Sequence, residues 1–157
     1  MIKLQKTLDK LKQEIVSNIY MSEDRLIIQT KNKIALFTVW GDCCSNSYFY
    51  DFIGVKDLLN KQIVSIEEVG LTPSDIIEDP EYSGCKKDKK CSDEDIEVYG
   101  YQINYLDPKF GDRTAVFSFR NYSNGYYGGW MDGEIIDKLP DNLPPLIIEN
   151  VLETQAE

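Results

Sequence analysis

Cys43 and Cys44 stand side by side in Trp40-Gly41-Asp42-Cys43-Cys44-Ser45, and Cys85 and Cys91 bracket Lys86-Lys87-Asp88-Lys89-Lys90. These thiols have the widest chemical reach in the chain. Four thiolates could close a tetrahedral zinc site. Adjacent cysteines are poor co-ligands for one ion, because no spacer aims both sulfurs inward, so Cys85 and Cys91 are the better zinc candidates. The lysines between them also favour the thiolate, which makes them the more reactive pair for redox use. The plain alternative is four reduced thiols in a cytosolic chain. That is the expectation here, with no bound metal and no cofactor.

The chain has no histidine. Ser-His and Cys-His dyads and imidazole-ligated metals are therefore excluded, and the usual general base near neutral pH is missing. Carboxylate pairs occur at Glu67-Glu68 and in Asp93-Glu94-Asp95. Neighbours on a strand face opposite ways, so Glu67 and Glu68 cannot share one reaction, and the second cluster reads as a solvated loop. No phosphate-binding loop, dinucleotide fingerprint or EF-hand spacing is present. The expectation is a protein that binds and is not an enzyme.

A second constellation is Arg120, Tyr122, Asn124, Tyr126 and Tyr127. If the turn bearing Asp42, Cys43 and Cys44 lies at the same sheet end, all eight form one surface. It would offer rigid aromatics, amide and hydroxyl groups and one fixed cation, a composition suited to recognition. The plain alternative is that the tyrosines cap the core and Asn124-Gly125 only turns a hairpin.

The elements that must position these residues read as follows. Leu4, Leu8, Leu11 and Ile15 form one stripe, which predicts an amphipathic helix over 2–18. Strands are expected over 15–21, 25–30 and 34–40. The last is apolar on both alternating sets, as in a central strand covered on both sides. Residues 45–52 suit a helix or a strand, 55–60 a helical turn, and 62–69 another strand. Residues 70–95 break the pattern with Pro73, Pro80, Gly84 and mixed charge, and read as a long insertion with a short helix at 74–77. Tyr99, Tyr101, Ile103 and Tyr105 share one face of a strand. Ala115, Phe117 and Phe119 point inward from the next, with Ser118, Arg120 and Tyr122 on its other face. Asn124-Gly125 predicts a hairpin whose second strand returns over 126–131. Gly128-Gly129 marks a bulge or a close backbone approach. Residues 138–157 form an extended tail. The expected fold is a single α+β domain over 1–157, an antiparallel sheet of about six strands with the N-terminal helix on one face.

With 157 residues the chain is long enough for a real core, and its 42% hydrophobic content is ordinary. No apolar run approaches a membrane span, and the N-terminus has no secretory pattern, so a cytoplasmic protein is expected. The formal net charge of -10 argues against nucleic-acid or anionic-membrane binding. It permits the converse, an acidic surface that occupies a partner's basic groove.

Several short motifs then fall in order: Asp42-Cys43-Cys44, the aromatic-acidic segment 48–54, Asp57-Leu58-Leu59-Asn60, Glu67-Glu68-Val69 and Ser123-Asn124-Gly125-Tyr126-Tyr127. In this the chain resembles a domain-of-unknown-function family of small phage and bacterial proteins, over roughly 19–132. The N-terminal helix and the Cys85/Cys91 insertion look like additions, and Ser45 stands where that family carries an acid. The resemblance implies an origin in phages or mobile elements and no particular activity. The leading expectation is an acidic anti-defence inhibitor of a host protein with a basic surface. The second is a binder, or sponge, for a nucleotide-like signal held by Arg120, Tyr122, Tyr126 and Tyr127. The third is a thiol- or carboxylate-dependent enzyme.

Overall fold

The computed structural model describes residues 2–42, 44–70, 96–123 and 128–154. The insertion with Cys85, Cys91 and the expected helix at 74–77 therefore lies outside the described residues, as do Cys43, Asn124, Tyr126 and Tyr127. The elements run α1 (Ile2–Lys10), β1 (Val16–Met21), β2 (Arg25–Thr30), β3 (Ile34–Gly41), β4 (Asn46–Ile53) and α2 (Val55–Leu58). They continue with β5 (Gln62–Gly70), β6 (Ile96–Asp107), β7 (Gly111–Tyr122), β8 (Gly129–Ile136) and β9 (Leu146–Ile147).

The strands form two sheets where one of about six strands was expected. One has the order β8-β3-β2-β1-β9 and the other β4-β7-β6-β5. Every strand pair is antiparallel. The inner faces share one core, and Phe37 of the first sheet meets Phe117 of the second at 6.4 Å between ring centroids. Alternation on β7 puts Ala115, Phe117 and Phe119 into that core, and Tyr99 and Tyr101 of β6 stack on Phe119 and Phe117. Full burial of such aromatic side chains contributes roughly 1.5–3 kcal/mol each.

The hairpin expected at Asn124-Gly125 is not formed by β7 and β8. β8 pairs with β3 along eight residues, from Ile34↔Ile136 to Gly41↔Gly129, so the chain crosses between sheets after Tyr122. It also crosses between β3 and β4. Described residues of the two crossovers meet where Asp42 N donates to Gly128 O at 3.1 Å.

α1 is shorter than the 2–18 expected. Leu4, Leu8 and Leu11 are buried, but Gln13 adopts a left-handed φ of 70° and ends the helical run. The chain then turns to bond with the start of β5: Gln13 N donates to Ile63 O and Val16 N to Lys61 O. α1 packs on β8, where Gly133 makes room. A Cβ there would stand 2.9 Å from the Phe37 ring and 3.2 Å from Leu4. The C-terminal segment closes the opposite seam. β9 pairs with β1, Val151 and Phe52 exchange backbone bonds of 2.8 and 3.0 Å, and Thr154 N donates to Tyr50 O.

Candidate functional site

The crossover end holds Asp42 and Cys44. Asp42 O accepts from Ser45 N at 3.0 Å and from Ser45 Oγ at 2.7 Å, which closes a four-residue turn. Cys44 in that turn is exposed, with a left-handed φ of 71°. Beneath it the strands come unusually close. Gly41 and Gly129 face each other in register. A Cβ on Gly129 would overlap Ser47 Oγ and lie 2.9 Å from both Trp40 O and Asn121 Nδ2. This is the close approach that Gly128-Gly129 signalled. Asn121, fully buried, donates to Ser47 Oγ at 2.9 Å and Ser45 Oγ at 3.1 Å. Ser47 in turn donates to Trp40 O at 2.6 Å. Both serine protons are thus committed to main-chain carbonyls, and their lone pairs to an amide. The cluster ties the crossovers together and presents no activated nucleophile. Tyr99, bonded to Glu97, accepts from Gly129 N at 3.3 Å and joins β6 to the same node.

Arg120 is not at this surface. It points to the outer side of the four-stranded sheet and is only 1% exposed. Its guanidinium carbon lies 3.5 Å from the Tyr50 ring centroid, a cation–π contact in a desolvated setting. An irregularity in β4 produces the contact. Phe49 pairs with Phe119 and Asp51 with Ser118, so Tyr50 is the extra residue of a bulge. Asp51 is buried beside Arg120 and accepts a hydrogen bond from Ser118. Burial pushes its carboxyl pKa up, while the Ser118 hydrogen bond and the Arg120 charge pull it back. Burial likewise raises Tyr48, which pairs with Arg120 across the strands. Ser118 next to a carboxylate has the makings of an activated hydroxyl, but it is fully buried.

Of the eight expected site residues, then, the turn brings Asp42 and Cys44 to the crossover end, where Tyr122 is also exposed on the last residue of β7. Arg120 lies apart beneath Tyr50, and Cys43, Asn124, Tyr126 and Tyr127 lie outside the described residues.

Another surface begins at the same end and was missed in the sequence. β3 was expected to be covered on both faces. Its Ala35 and Phe37 are buried, but Trp40 on the other face is 52% exposed, and its register partner Trp130 is 41% exposed. The same outer face carries the pairs Thr38↔Asp132 and Leu36↔Glu134. A groove of about 270 Å³ runs along it, lined by Lys3, Leu36, Thr38, Trp40, Asp132 and Glu134. The sequence did hold a signal. Trp40-Gly41 and Gly129-Trp130 are mirror-image dipeptides, the arrangement an antiparallel register brings face to face.

Among the described residues no cluster of three metal-ligating side chains occurs, and no helix is long and apolar enough to cross a membrane. No protein-family model matches the chain, and no solved structure matches it significantly. The chain is similar to an uncharacterized protein of Acanthamoeba polyphaga mimivirus, 29% identical over 113 residues, which span 69% of this chain and 74% of the relative.

Proposed function

We propose that this is a non-enzymatic binding protein that acts by occupying a basic surface on a protein partner. The observation that carries the reading is the part of the outer face of the five-stranded sheet, on β3 and β8, that is open to solvent. Both tryptophans of the chain stand there in register, with Asp132 and Glu134 on the neighbouring rungs. Tryptophan is the residue most enriched where binding energy concentrates, and an exposed pair on a rigid sheet loses little side-chain freedom on contact. The net charge of -10 selects basic partners and repels nucleic acid. The similarity to a viral protein supports an infection setting, in which the partner is a host protein for defence or nucleic-acid processing.

The test is capture from host-cell lysate on immobilised protein, at low salt and again near 1 M, where the Debye length falls from about 10 Å to about 3 Å. A partner released by salt and by competing nucleic acid supports the reading. A partner retained undiminished at high salt argues against electrostatic occlusion. Turnover of any substrate by the pure protein, abolished by a point change, ends the non-enzymatic reading.

A further inference from the structure

The groove beside Trp40 is at the lower bound for a drug-sized ligand, whose pockets run from roughly 300 Å³ upward. At about 270 Å³ it suits a single side chain. Its walls differ in kind. Trp40 offers an indole, Thr38 a hydroxyl, and Asp132 and Glu134 carboxylates. Glu134 already meets Lys3 at 3.3 Å, whereas among the described residues Asp132 has no ion pair or side-chain hydrogen bond. Trp40 pairs with Trp130, so Asp132 is its diagonal neighbour on the same face, about 7–8 Å away. A planar cation can lie on the indole and reach the carboxylate across that gap. Among the described residues, the neighbouring cations are engaged: Lys3 by Glu134, and Arg25, opposite Thr38, by Asp24 at 4.0 Å.

We propose that this groove receives an arginine side chain of the partner, its guanidinium stacked on Trp40 and hydrogen-bonded to Asp132. The proposal rests on the protein-binding reading above and narrows it to one kind of contact. Arginine is favoured over lysine because its planar fork both stacks on an aromatic ring and pairs with a carboxylate in fixed geometry, whereas lysine is a strongly hydrated point charge. A second copy of this chain is disfavoured as the occupant, because apposed copies would bring two strongly acidic molecules together.

Trp40 lines the groove and Trp130, the other tryptophan of the chain, is its register partner, so intrinsic fluorescence reads the site. Titration with an oligoarginine peptide is expected to give a saturable change in emission that salt weakens. Oligolysine is expected to bind about tenfold more weakly, and oligoglutamate not at all. Asp132→Asn, which keeps the shape, is expected to lose about tenfold in affinity for oligoarginine. Trp40→Ala leaves Trp130 as reporter and is expected to lose as much, with far-UV circular dichroism confirming the fold. Equal binding of lysine and arginine overturns the proposal in favour of a merely acidic surface. So does full binding by Asp132→Asn, and so does an emission change that follows protein concentration alone, which would identify a second copy. The broader reading fails separately. If lysate capture survives Trp40→Ala, partner binding stands and the groove does not carry it. If oligoarginine binds but lysate yields no salt-sensitive partner, the groove stands and the occlusion reading falls.

Discussion

The two sheets turn opposite kinds of surface outward. The five-stranded sheet leaves Trp40, Trp130 and part of Leu36 open to solvent, while the four-stranded sheet hides Arg120, Asp51 and Ser118 on its outer side. Each inverts the usual partition of apolar and charged groups. The costs are unlike. Exposed aromatics add little strain to a folded chain, whereas a buried charge needs compensation in place: here the Tyr50 ring, the Asp51 carboxyl and the Ser118 hydroxyl. The difference separates a region that holds the fold from one left free to meet something else.

Arg120→Ala tests the contrast most severely. It empties a fully packed site and leaves Asp51 buried without its neighbouring charge, so a loss of roughly 3–5 kcal/mol is expected in urea unfolding. A loss below about 1 kcal/mol would show that the cluster does not hold the fold.

Gly129→Ala comes next, at about 1–3 kcal/mol, because its Cβ meets main chain as well as the Ser47 hydroxyl. Gly70→Ala is the control. A Cβ there meets nothing within 4 Å, and a change within about 0.5 kcal/mol is expected. Equal losses at the two positions would mean that the close approach of the crossovers does not decide the outcome.

Asp51 sharpens the comparison through pH. Its folded pKa is raised above the ordinary 3.8, so the stability it contributes is fully present below that value and is lost as pH rises through the folded pKa. Asp51→Asn keeps an acceptor for Ser118 without the charge. The fall in urea midpoint from acid toward neutral pH is expected to be shallower in this variant. An identical slope would show that Asp51 ionises alike in the folded and unfolded chains.

The smallest stability effect is expected for Trp40→Thr. It suits an exposed strand position and should shift stability by no more than about 0.5 kcal/mol. A larger loss would move this side chain from the open region to the structural one.

Much of the strand content was legible. Ala115, Phe117 and Phe119 alternate cleanly, as do Tyr99, Tyr101, Ile103 and Tyr105, and both strands run where that period puts them. The division into two sheets was not legible, because a crossover between sheets and a hairpin within one use the same turn residues. Asn124-Gly125 signals a reversal and says nothing about which strand lies on the far side. Alternation placed Arg120 on the correct side of β7 but could not show that the position is buried. The bulge at Tyr50 shifts the phase of β4, so Phe49 and Phe52, three apart, both reach the core, and Tyr50 and Asp51 join Arg120. Trp40 misled for the converse reason. An apolar residue in an apolar run reads as core, and only the register against Trp130 shows the pair facing water.

The segment from Leu146 to Thr154 has a kinetic consequence. It closes β1 through Ile147 and β4 through Val151, strands that lie about a hundred or more residues earlier in the chain. Pairings so distant in sequence form late, since a large loop must be closed first. Until then a nearly complete sandwich shows two bare strand edges, the usual starting point for intermolecular pairing. Recovery on refolding should therefore fall as protein concentration rises, even where the native protein stays dissolved.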